Sequence, residues 1–260
     1  GDFDSERICF MQAQDFSDEI AEGLEILRGL ALKMKDDTRT QLPLGKLSIG
    51  LKCGGSDGFS GITANPLIGA FSDMAITRGA SCVLTEVPEM FGAETLLMQR
   101  ACNKEVFQKI VEMINSFKEY FMSYKMPVYE NPSPGNRDGG ISTLEEKSLG
   151  CVQKGGHALV RDVLMYGDFV KSAGLSLLTS PGNDPVATTT LAAAGCQIIL
   201  FSTGRGTPWG AAVPTIKIAT NTPLSENKRN WIDFNAGEIA NGRPICNLAE
   251  EFFDFVLEVA

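Results

Sequence analysis

A polar loop between residues 51 and 66 carries the side chains of this sequence that are best suited to chemistry. Within it, Cys53, Ser56, Asp57 and Ser60 supply a thiol, a carboxylate and two hydroxyls. Glycines between these residues let the backbone turn sharply or approach a ligand closely. This combination of groups predicts a binding site for a small polar molecule.

Regular elements on both sides must hold this loop in place. Residues 46–51 alternate apolar and polar side chains, which predicts a short strand. Asn65 is a good helix N-cap and Pro66 fits the first helical position, so a helix is expected over 66–78. The loop lacks the first glycine of the G-x-G-x-x-G fingerprint, so it is only a weak signal for dinucleotide binding.

The order of strand, polar loop and capped helix recurs along the chain. The predicted strands are 46–51, 81–85, 175–179 and 197–202. The polar loops that follow them are 53–61, 86–92, 180–184 and 203–210. This repetition predicts an α/β fold with a mostly parallel, Rossmann-like sheet and helices on both faces. Because parallel strands end at one edge of a sheet, the four loops are expected to lie together there.

Capping residues and apolar periodicity predict the remaining elements. These are a strand at Ile8–Met11, a helix capped by Ser17, a long helix from Asn103 to about Tyr124, a short helix from Thr143 to Gly150, a helix from Asp184 to Gly195 and a last helix at Leu248–Val259. The segment 127–140, rich in Pro, Gly and Asn, is the best candidate for an internal break in one domain over 1–260.

Composition excludes several classes of protein. With 260 residues and 43% hydrophobic content, the chain can bury a full core, and its net charge of −9 argues against a nucleic acid or an anionic membrane as partner. Seven widely spaced cysteines without a C-x-x-C pair favour a reducing, cytoplasmic compartment. The sequence contains no apolar run long enough to span a membrane. His157, the only histidine, is expected at the surface.

Six segments, spread over most of the chain, carry a family resemblance. They are Leu51–Pro66, Leu84–Glu94, Tyr129–Asn136, Thr143–Gly150, Ser180–Asp184 and Phe201–Gly210. Together they resemble the C-terminal part of enzymes of the altronate and galactarate dehydratase family, which are metal-dependent sugar-acid lyases. Full-length members are longer. The resemblance therefore implies a C-terminal catalytic-region domain that works with an N-terminal part, and a homo-oligomer is compatible with it.

The resemblance implies the dehydration of a sugar acid in carbohydrate catabolism. The expected reaction is loss of water from D-altronate to give 2-dehydro-3-deoxy-D-gluconate, with galactarate as the alternative substrate. A base must remove the proton next to the carboxylate while hydroxide leaves the neighbouring carbon, and a divalent metal can assist as a Lewis acid. The resemblance implies Fe(II), with Mn(II) as the alternative. Cys53, Asp57 and Glu86 are the candidate ligands.

Candidate residues for catalysis and substrate binding lie in or near the polar loops. The candidate catalytic residues are Cys53, Ser56, Asp57, Glu86 and Lys147. The candidate substrate-binding residues are Asn131, Ser133, Asn136, Asn183, Asp184, Arg205 and Thr207. Arg205 lies between two glycines, which favours a guanidinium that holds the substrate carboxylate. Lys147 is expected to act as a cation, or as a base if burial lowers its pKa.

Two other classes of function remain open at this stage. A nucleotide-binding α/β module would use the same loops for phosphate groups. A non-catalytic assembly domain would use its surface to complete an interface. Tight binding of a dinucleotide to the purified chain would favour the first of these alternatives.

Overall fold

The computed structural model describes residues 4–260, which divide into a unit ending at Leu42 and a second unit, Pro43–Ala260. The first unit contains helix α1 (Glu19–Met34). The side chain of Asp18 accepts a hydrogen bond from Ala21 N, so the helix cap lies one residue after the predicted Ser17. The strand predicted at Ile8–Met11 is wrong, because no strand of the described chain pairs with these residues.

Seven strands of the described residues form one sheet in the second unit. They are β1 (Ser48–Cys53), β2 (Ser81–Leu84), β3 (Val160–Leu164), β4 (Gly174–Leu178), β5 (Ile198–Thr203), β6 (Thr215–Ala219) and β7 (Phe234–Asn235). Their order across the sheet is β3-β4-β2-β1-β5-β6-β7, and every neighbouring pair is parallel. The prediction of a parallel sheet is therefore confirmed, and all strands end at the same edge.

Helices cover both faces of this sheet. They are α2 (Ala64–Thr77), α3 (Glu94–Met98), α4 (Lys104–Ser123), α5 (Pro134–Asp138), α6 (Leu144–Val152), α7 (Asp184–Ala193), α8 (Thr222–Asn227) and α9 (Ile245–Val259). Apolar side chains of α2, α4 and α9 form the larger core, together with Ile49 and Leu51 of β1. Leu191 of α7 belongs to a smaller core with Ile199 of β5. The segment 127–140 contains α5 and lies inside the second unit.

Gly50, in the middle of β1, explains how α7 approaches the sheet so closely. A Cβ atom at this position would lie 2.9 Å from Cδ1 of Leu191. The absence of a side chain therefore lets the helix pack directly on the central strand. Strands β1 and β5 are buried almost throughout, because helices cover the sheet on both faces. Strands in such a position are rich in apolar or small residues.

Two further predicted helix caps differ from the structure. Helix α2 starts at Ala64, and Asn65, the predicted cap, instead donates a 3.0 Å hydrogen bond to the Gly150 carbonyl. Helix α7 is capped by Asn183, one residue before the predicted Asp184. Both side chains are drawn into contacts with other elements, which local spacing does not reveal. Asn103 and Thr143 cap α4 and α6 as predicted.

None of the helices within residues 4–260 is long and apolar enough to cross a membrane.

Candidate active site

A cleft of about 650 Å³ opens at the edge of the sheet where the strands end. Its walls come from the ends of β1 and β4, the turn after β2, the segment 121–136, α6 and the start of α7. Cys53, Glu89 and Lys147 form part of this lining. The position agrees with the rule that ligands of parallel α/β sheets bind beyond the carboxyl ends of the strands.

Three side chains with metal-binding atoms meet at the cleft wall. The sulfur of Cys53 lies 3.5 Å from the sulfur of Cys151 and 2.9 Å from Oε2 of Glu89. Cys151 Sγ lies 2.9 Å from the same carboxylate oxygen. Within residues 4–260, these three residues form the one such set whose ligand atoms all lie within 4.8 Å of one another. We refer to Cys53, Glu89 and Cys151 as the Cys–Glu–Cys group.

Two buried lysines surround the Cys–Glu–Cys group. Lys154 Nζ lies 3.1 Å from the sulfur of Cys53, and Lys147 Nζ lies 3.7 Å from the same sulfur. Lys147 Nζ is also 3.0 Å from Oε1 of Glu89 and donates a 2.7 Å hydrogen bond to Ser56 Oγ. Because a buried charge is costly unless it is paired, the ammonium groups and the acidic groups stabilise one another.

The local structure brings these five side chains to one place. Cys53 is the last residue of β1, and the short 3-10 helix after β2 ends at Glu89. Lys147 and Cys151 are four residues apart on α6, so they share a helix face. Lys154 lies in the 3-10 turn that follows α6. The carboxyl edge of the sheet and one helix face thus build the site together.

A second ion cluster holds the backbone of Cys53. Glu86 Oε2 accepts a 3.0 Å hydrogen bond from Cys53 N, and Lys52 Nζ donates a 2.8 Å hydrogen bond to the Cys53 carbonyl. Lys52 Nζ also lies 3.0 Å from Glu86 Oε1 and pairs with Asp184. Burial raises the pKa of Glu86 to about 8, although Lys52 opposes this shift. Glu86 has a φ of 72°, which a non-glycine residue rarely adopts. This strained turn places the carboxyl group of Glu86 within hydrogen-bond distance of the Cys53 backbone N–H.

The surrounding groups determine where the protons of the cluster reside. The pKa of Cys53 is well below its usual value, because Cys151 hydrogen-bonds to its sulfur and Lys147 and Lys154 stabilise the thiolate against the effect of burial. Burial and the neighbouring Cys53 raise the pKa of Cys151 well above its usual value. Burial, followed by the charge on Cys53, raises the pKa of Glu89. Cys53 is therefore held as a thiolate beside a thiol and a readily protonated carboxyl group.

Both lysines of the site remain charged. Burial by itself lowers the pKa of Lys147, but the neighbouring acidic groups of Cys151, Cys53 and Glu89 outweigh this effect and raise the pKa well above its usual value. The same balance raises the pKa of Lys154. The condition under which Lys147 was expected to act as a base is not met, and its role as a cation is favoured.

Most of the predicted substrate-binding residues line the cleft. These are Asn131, Ser133, Asn136, Asn183 and Asp184. Arg205 and Thr207 do not contribute to this lining. The Arg205 side chain is 50% exposed, and its Nη1 donates a 2.8 Å hydrogen bond to the carbonyl of Gly135 at the start of α5. Its role as an anchor for a substrate carboxylate stays a prediction.

Asp57 is not a member of the Cys–Glu–Cys group, although it lines a second cavity together with Cys151. Its Oδ1 accepts a 3.0 Å hydrogen bond from Ser60 Oγ. Its Oδ2 accepts hydrogen bonds of 3.0 Å from Thr220 Oγ1 and 3.1 Å from Asn221 Nδ2. These contacts join the loop after β1 to the end of β6, so they tie two parts of the fold together.

The donor set of the cleft differs from the predicted metal ligands. Asp57 is bonded within the fold and Glu86 holds the Cys53 amide, so only Cys53 of the predicted set belongs to the Cys–Glu–Cys group. Two sulfurs and one carboxylate suit a divalent metal that accepts thiolate ligands better than one that prefers oxygen alone. The Cys–Glu–Cys group is therefore a possible metal-binding site.

Sequence reasoning missed four residues of the site: Glu89, Cys151, Lys154 and Lys52. Two signals could have found some of them. The four-residue spacing of Lys147 and Cys151 in a predicted helix places both on one face. Lys52 directly follows the predicted strand 46–51, and in the structure it belongs to β1 and is completely buried. His157 lies at the surface as predicted, with its side chain 99% exposed.

The fold and the site define an α/β protein with a buried thiolate, two lysines and a carboxyl group at the carboxyl edge of a parallel sheet. The family model described as D-galactarate/Altronate dehydratase, C-terminal, matches residues 44–260. The chain therefore belongs to the D-galactarate/altronate dehydratase family.

Curated relatives agree with this assignment. The chain is 59% identical over 260 residues to an altronate dehydratase of Bacillus subtilis and 56% identical over 260 residues to one of Escherichia coli. Each comparison covers 100% of this chain and 52% of the relative. A galactarate dehydratase (L-threo-forming) of Escherichia coli is 38% identical over 247 residues, covering 94% of this chain and 47% of the relative. The chain spans about half the length of the curated relatives it matches.

Proposed function

We propose that this chain is the catalytic region of an altronate dehydratase, a hydro-lyase that converts D-altronate to 2-dehydro-3-deoxy-D-gluconate in sugar-acid catabolism in the cytoplasm. The observation that carries the proposal is the meeting of Lys147, Glu89 and the Cys53 thiolate at one wall of a polar cleft. The higher identity to two altronate dehydratases than to the galactarate dehydratase favours altronate as substrate.

Lys147 is the cation that we assign to the substrate carboxylate. Its charged Nζ lines the cleft and is fixed by Ser56 and Glu89. When a proton leaves the carbon next to the carboxylate, negative charge spreads onto the carboxylate oxygens. A fixed ammonium stabilises this charge more strongly in a buried site than it would in water.

Glu89 is the group that we assign to accept that proton. Its Oε1 faces Lys147 and lies 4.0 Å from the position that a Cβ atom of Gly182 would occupy in the cleft wall. Its raised pKa brings the carboxyl group closer to the neutral range, where a general base is most effective. Asn131, Ser133 and Asn136 line the same cleft and supply amide and hydroxyl groups for the polyol chain.

A divalent metal is part of the proposal, with Fe(II) favoured and Mn(II) as the alternative. Cys53, Cys151 and Oε2 of Glu89 would hold it, since these atoms form the donor set beside the cleft, and Oε1 of Glu89 would remain to accept the proton. When bound, the metal supplies a Lewis acid that helps hydroxide to leave. Thiolate donors favour Fe(II) over Mn(II), which prefers oxygen ligands.

The cleft offers little support for the alternative of a nucleotide-binding module. Glu89, Glu130 and Asp184 line it, and their carboxylates repel the several negative charges of nucleotide phosphates more strongly than the single carboxylate of a sugar acid, which Lys147 can pair with. We also propose that the chain acts with a partner part equivalent to the half of the relatives that it does not span. A homo-oligomer is compatible with this arrangement.

The test compares D-altronate and galactarate turnover, measured as formation of the keto acid product, with Fe(II) present. A longer protein that includes the N-terminal part should turn over D-altronate, whereas the 260-residue chain alone should show little activity. Lys147→Met should lower kcat/KM by about 100-fold or more, since it removes a fixed charge from the site. Lys104→Met, at an exposed position on α4, is the control and should leave turnover unchanged. Faster turnover of galactarate, or none of either substrate by the longer protein, would contradict the proposal.

A further inference from the structure

We infer that Cys53 and Cys151 form a redox-active pair that a peroxide converts into an intrachain disulfide. This inference stands on the geometry of the two sulfurs and does not depend on which sugar acid the site binds. It makes the cleft wall a site of reversible oxidation as well as a candidate site of catalysis.

The two sulfurs are already close to bonding distance. They lie 3.5 Å apart, and a disulfide requires about 2.05 Å. Cys53 is at the end of β1 and Cys151 is near the end of α6, so the bond would join the central strand to a helix 98 residues away in sequence. The two sulfurs must move together by somewhat more than an ångström for the bond to form.

The surroundings of Cys53 favour its reaction with an oxidant. Lys154 and Lys147 place ammonium groups 3.1 Å and 3.7 Å from its sulfur, so positive charge surrounds the atom that attacks the peroxide. Cys82 and Cys196 provide the contrast within the same fold. They are buried in the apolar cores, where burial raises the pKa of both thiols to about 12.

A small oxidant can reach both sulfurs through cavities. Cys53 lines the large cleft of about 650 Å³. Cys151 lines a neighbouring cavity of about 230 Å³, which Ser56 and Lys147 also line. Hydrogen peroxide is little larger than water, so either cavity admits it.

The chemistry balances with hydrogen peroxide as the oxidant. The Cys53 thiolate attacks one peroxide oxygen, the O–O bond breaks, and the released hydroxide takes up a proton to become water. Cys53 is then a sulfenic acid. The sulfur of Cys151 attacks the sulfur of Cys53, the S–S bond forms, and the S–O bond breaks to release a second water. The two thiols lose two electrons and two protons, and the peroxide is reduced to two waters.

Oxidation of this pair would change the site in two ways. It removes the thiolate that balances the charges of Lys147 and Lys154, and it ties up two of the three donors of the Cys–Glu–Cys group. A dithiol reductant reverses the reaction by thiol–disulfide exchange. The charge balance and the metal-binding capacity of the site would therefore depend on the concentration of peroxide around the protein.

The experiment treats the full 260-residue chain with hydrogen peroxide in the presence of a chelator. The chain is then unfolded, its free thiols are alkylated, and its peptides are mapped by mass spectrometry. We expect loss of alkylation at Cys53 and Cys151 together, with a linked peptide containing both, and recovery of both thiols after dithiothreitol. The Cys82→Ala control should give the same linked peptide. Alkylation of both cysteines as complete as in the untreated chain, or a Cys53 linkage to another cysteine, would overturn the inference.

A second variant separates the two chemical steps. In Cys151→Ser, the resolving thiol is absent, so Cys53 should accumulate as sulfenic acid and be captured by dimedone. In the wild-type chain, dimedone capture at Cys53 should be several-fold lower because Cys151 reacts first. Equal dimedone labelling of Cys53 in both proteins would contradict the role of Cys151 as the resolving thiol. If Cys151→Ser does not fold, the peptide map of the wild-type chain alone tests whether the disulfide forms.

Discussion

The ammonium group of Lys154 lies 3.1 Å from the sulfur of Cys53, and both side chains are almost completely buried. An isolated ammonium ion in such a place would cost several kcal/mol, so it needs a negative partner. The thiolate supplies that partner. The contact therefore stabilises two groups that would each be unfavourable alone, and it keeps a nucleophilic and metal-binding atom ready at the cleft wall.

Lys154→Met should raise the pKa of Cys53 and reduce the amount of thiolate at neutral pH. The hydrogen bond from Cys151 and the charge of Lys147 still lower this pKa, but without the Lys154 ammonium they oppose the effect of burial less completely. The ultraviolet thiolate absorbance at pH 7 should fall and reappear only at higher pH. Cys82→Ala is the control, because the pKa of Cys82 is raised to about 12 and its thiol contributes no thiolate at pH 7. An unchanged thiolate signal in Lys154→Met would show that the lysine does not control Cys53.

The stability of the protein should depend on pH through Cys53. Its pKa is lowered in the folded chain, so its contribution to stability is fully present above the unfolded thiol pKa of about 8.5 and is lost as pH falls through the folded pKa. The free energy of unfolding of the wild type, minus that of Cys53→Ser, should therefore increase from pH 6 to about pH 8.5. Denaturant unfolding at several pH values measures this difference. A difference that stays constant or decreases would contradict the thiolate assignment.

Metal binding should follow the Cys–Glu–Cys group. Co(II) is a useful spectroscopic probe, because thiolate ligands give it intense charge-transfer bands. The bands should appear on titration of the wild-type chain and be lost in Cys151→Ser, since one sulfur donor of the group is gone. Asp57→Asn should retain them, because Asp57 lies outside the group. Loss of the bands in Asp57→Asn alone would return the ligand set to the one that the sequence suggested.

Asp57→Asn should lower stability, which is the opposite of what a purely catalytic carboxylate would do. The substitution removes the charge that strengthens hydrogen bonds from Ser60, Thr220 and Asn221. Hydrogen bonds to a charged group contribute about 1.5–3 kcal/mol, so we expect a loss of about 1–3 kcal/mol in the free energy of unfolding. Asp138→Asn, at an exposed position on α5, serves as the control. Unchanged stability together with lost activity would restore the catalytic interpretation.

Gly69→Ala should disturb the turn that carries Lys154. A Cβ atom at Gly69 would lie 2.2 Å from the carbonyl oxygen of Gln153, so α2 or the turn must move. We expect a cost of about 1–3 kcal/mol in the free energy of unfolding, as for overpacking in a core, and a weaker thiolate signal. In α1, a Cβ atom at Gly29 would meet no atom within 4 Å, so Gly29→Ala should be neutral or stabilising. If Gly69→Ala and Gly29→Ala changed the free energy of unfolding equally, the close contact between Gly69 and the Gln153 carbonyl would not determine stability.

Local patterns in the sequence predicted the framework well. The strand around Ile49 alternates apolar and polar side chains, the strand around Leu200 is a continuous apolar run, and the helix capped by Asn103 has a clear apolar face. Signals of this kind, apolar periodicity and helix caps, depend only on residues close to one another in the sequence. Strands β3, β6 and β7 were missed, because β7 has only two residues and charged residues interrupt the apolar positions of β3 and β6.

The candidate site was predicted only in part, because its contacts connect distant segments. Cys53 and Lys147 were named from the sequence, and both line the cleft. Cys151 and Lys154 lie outside the polar loops that the sequence predicted, and they were therefore overlooked. Asp57 was chosen for its place in a glycine-rich loop, but its partners at the end of β6 become visible only in three dimensions.

The wide sequence separation of the residues around Cys53 has a consequence for folding. Its sulfur meets Glu89, Cys151 and Lys154 across 36, 98 and 101 residues respectively. Contacts between distant segments form slowly, because the intervening chain must first lose entropy. The thiolate environment thus arises only after the central strand, the turn after β2 and α6 have all docked. The ultraviolet absorbance of the thiolate should therefore report formation of the native state during refolding. Partly folded forms, in which these segments have not yet docked, should lack this absorbance.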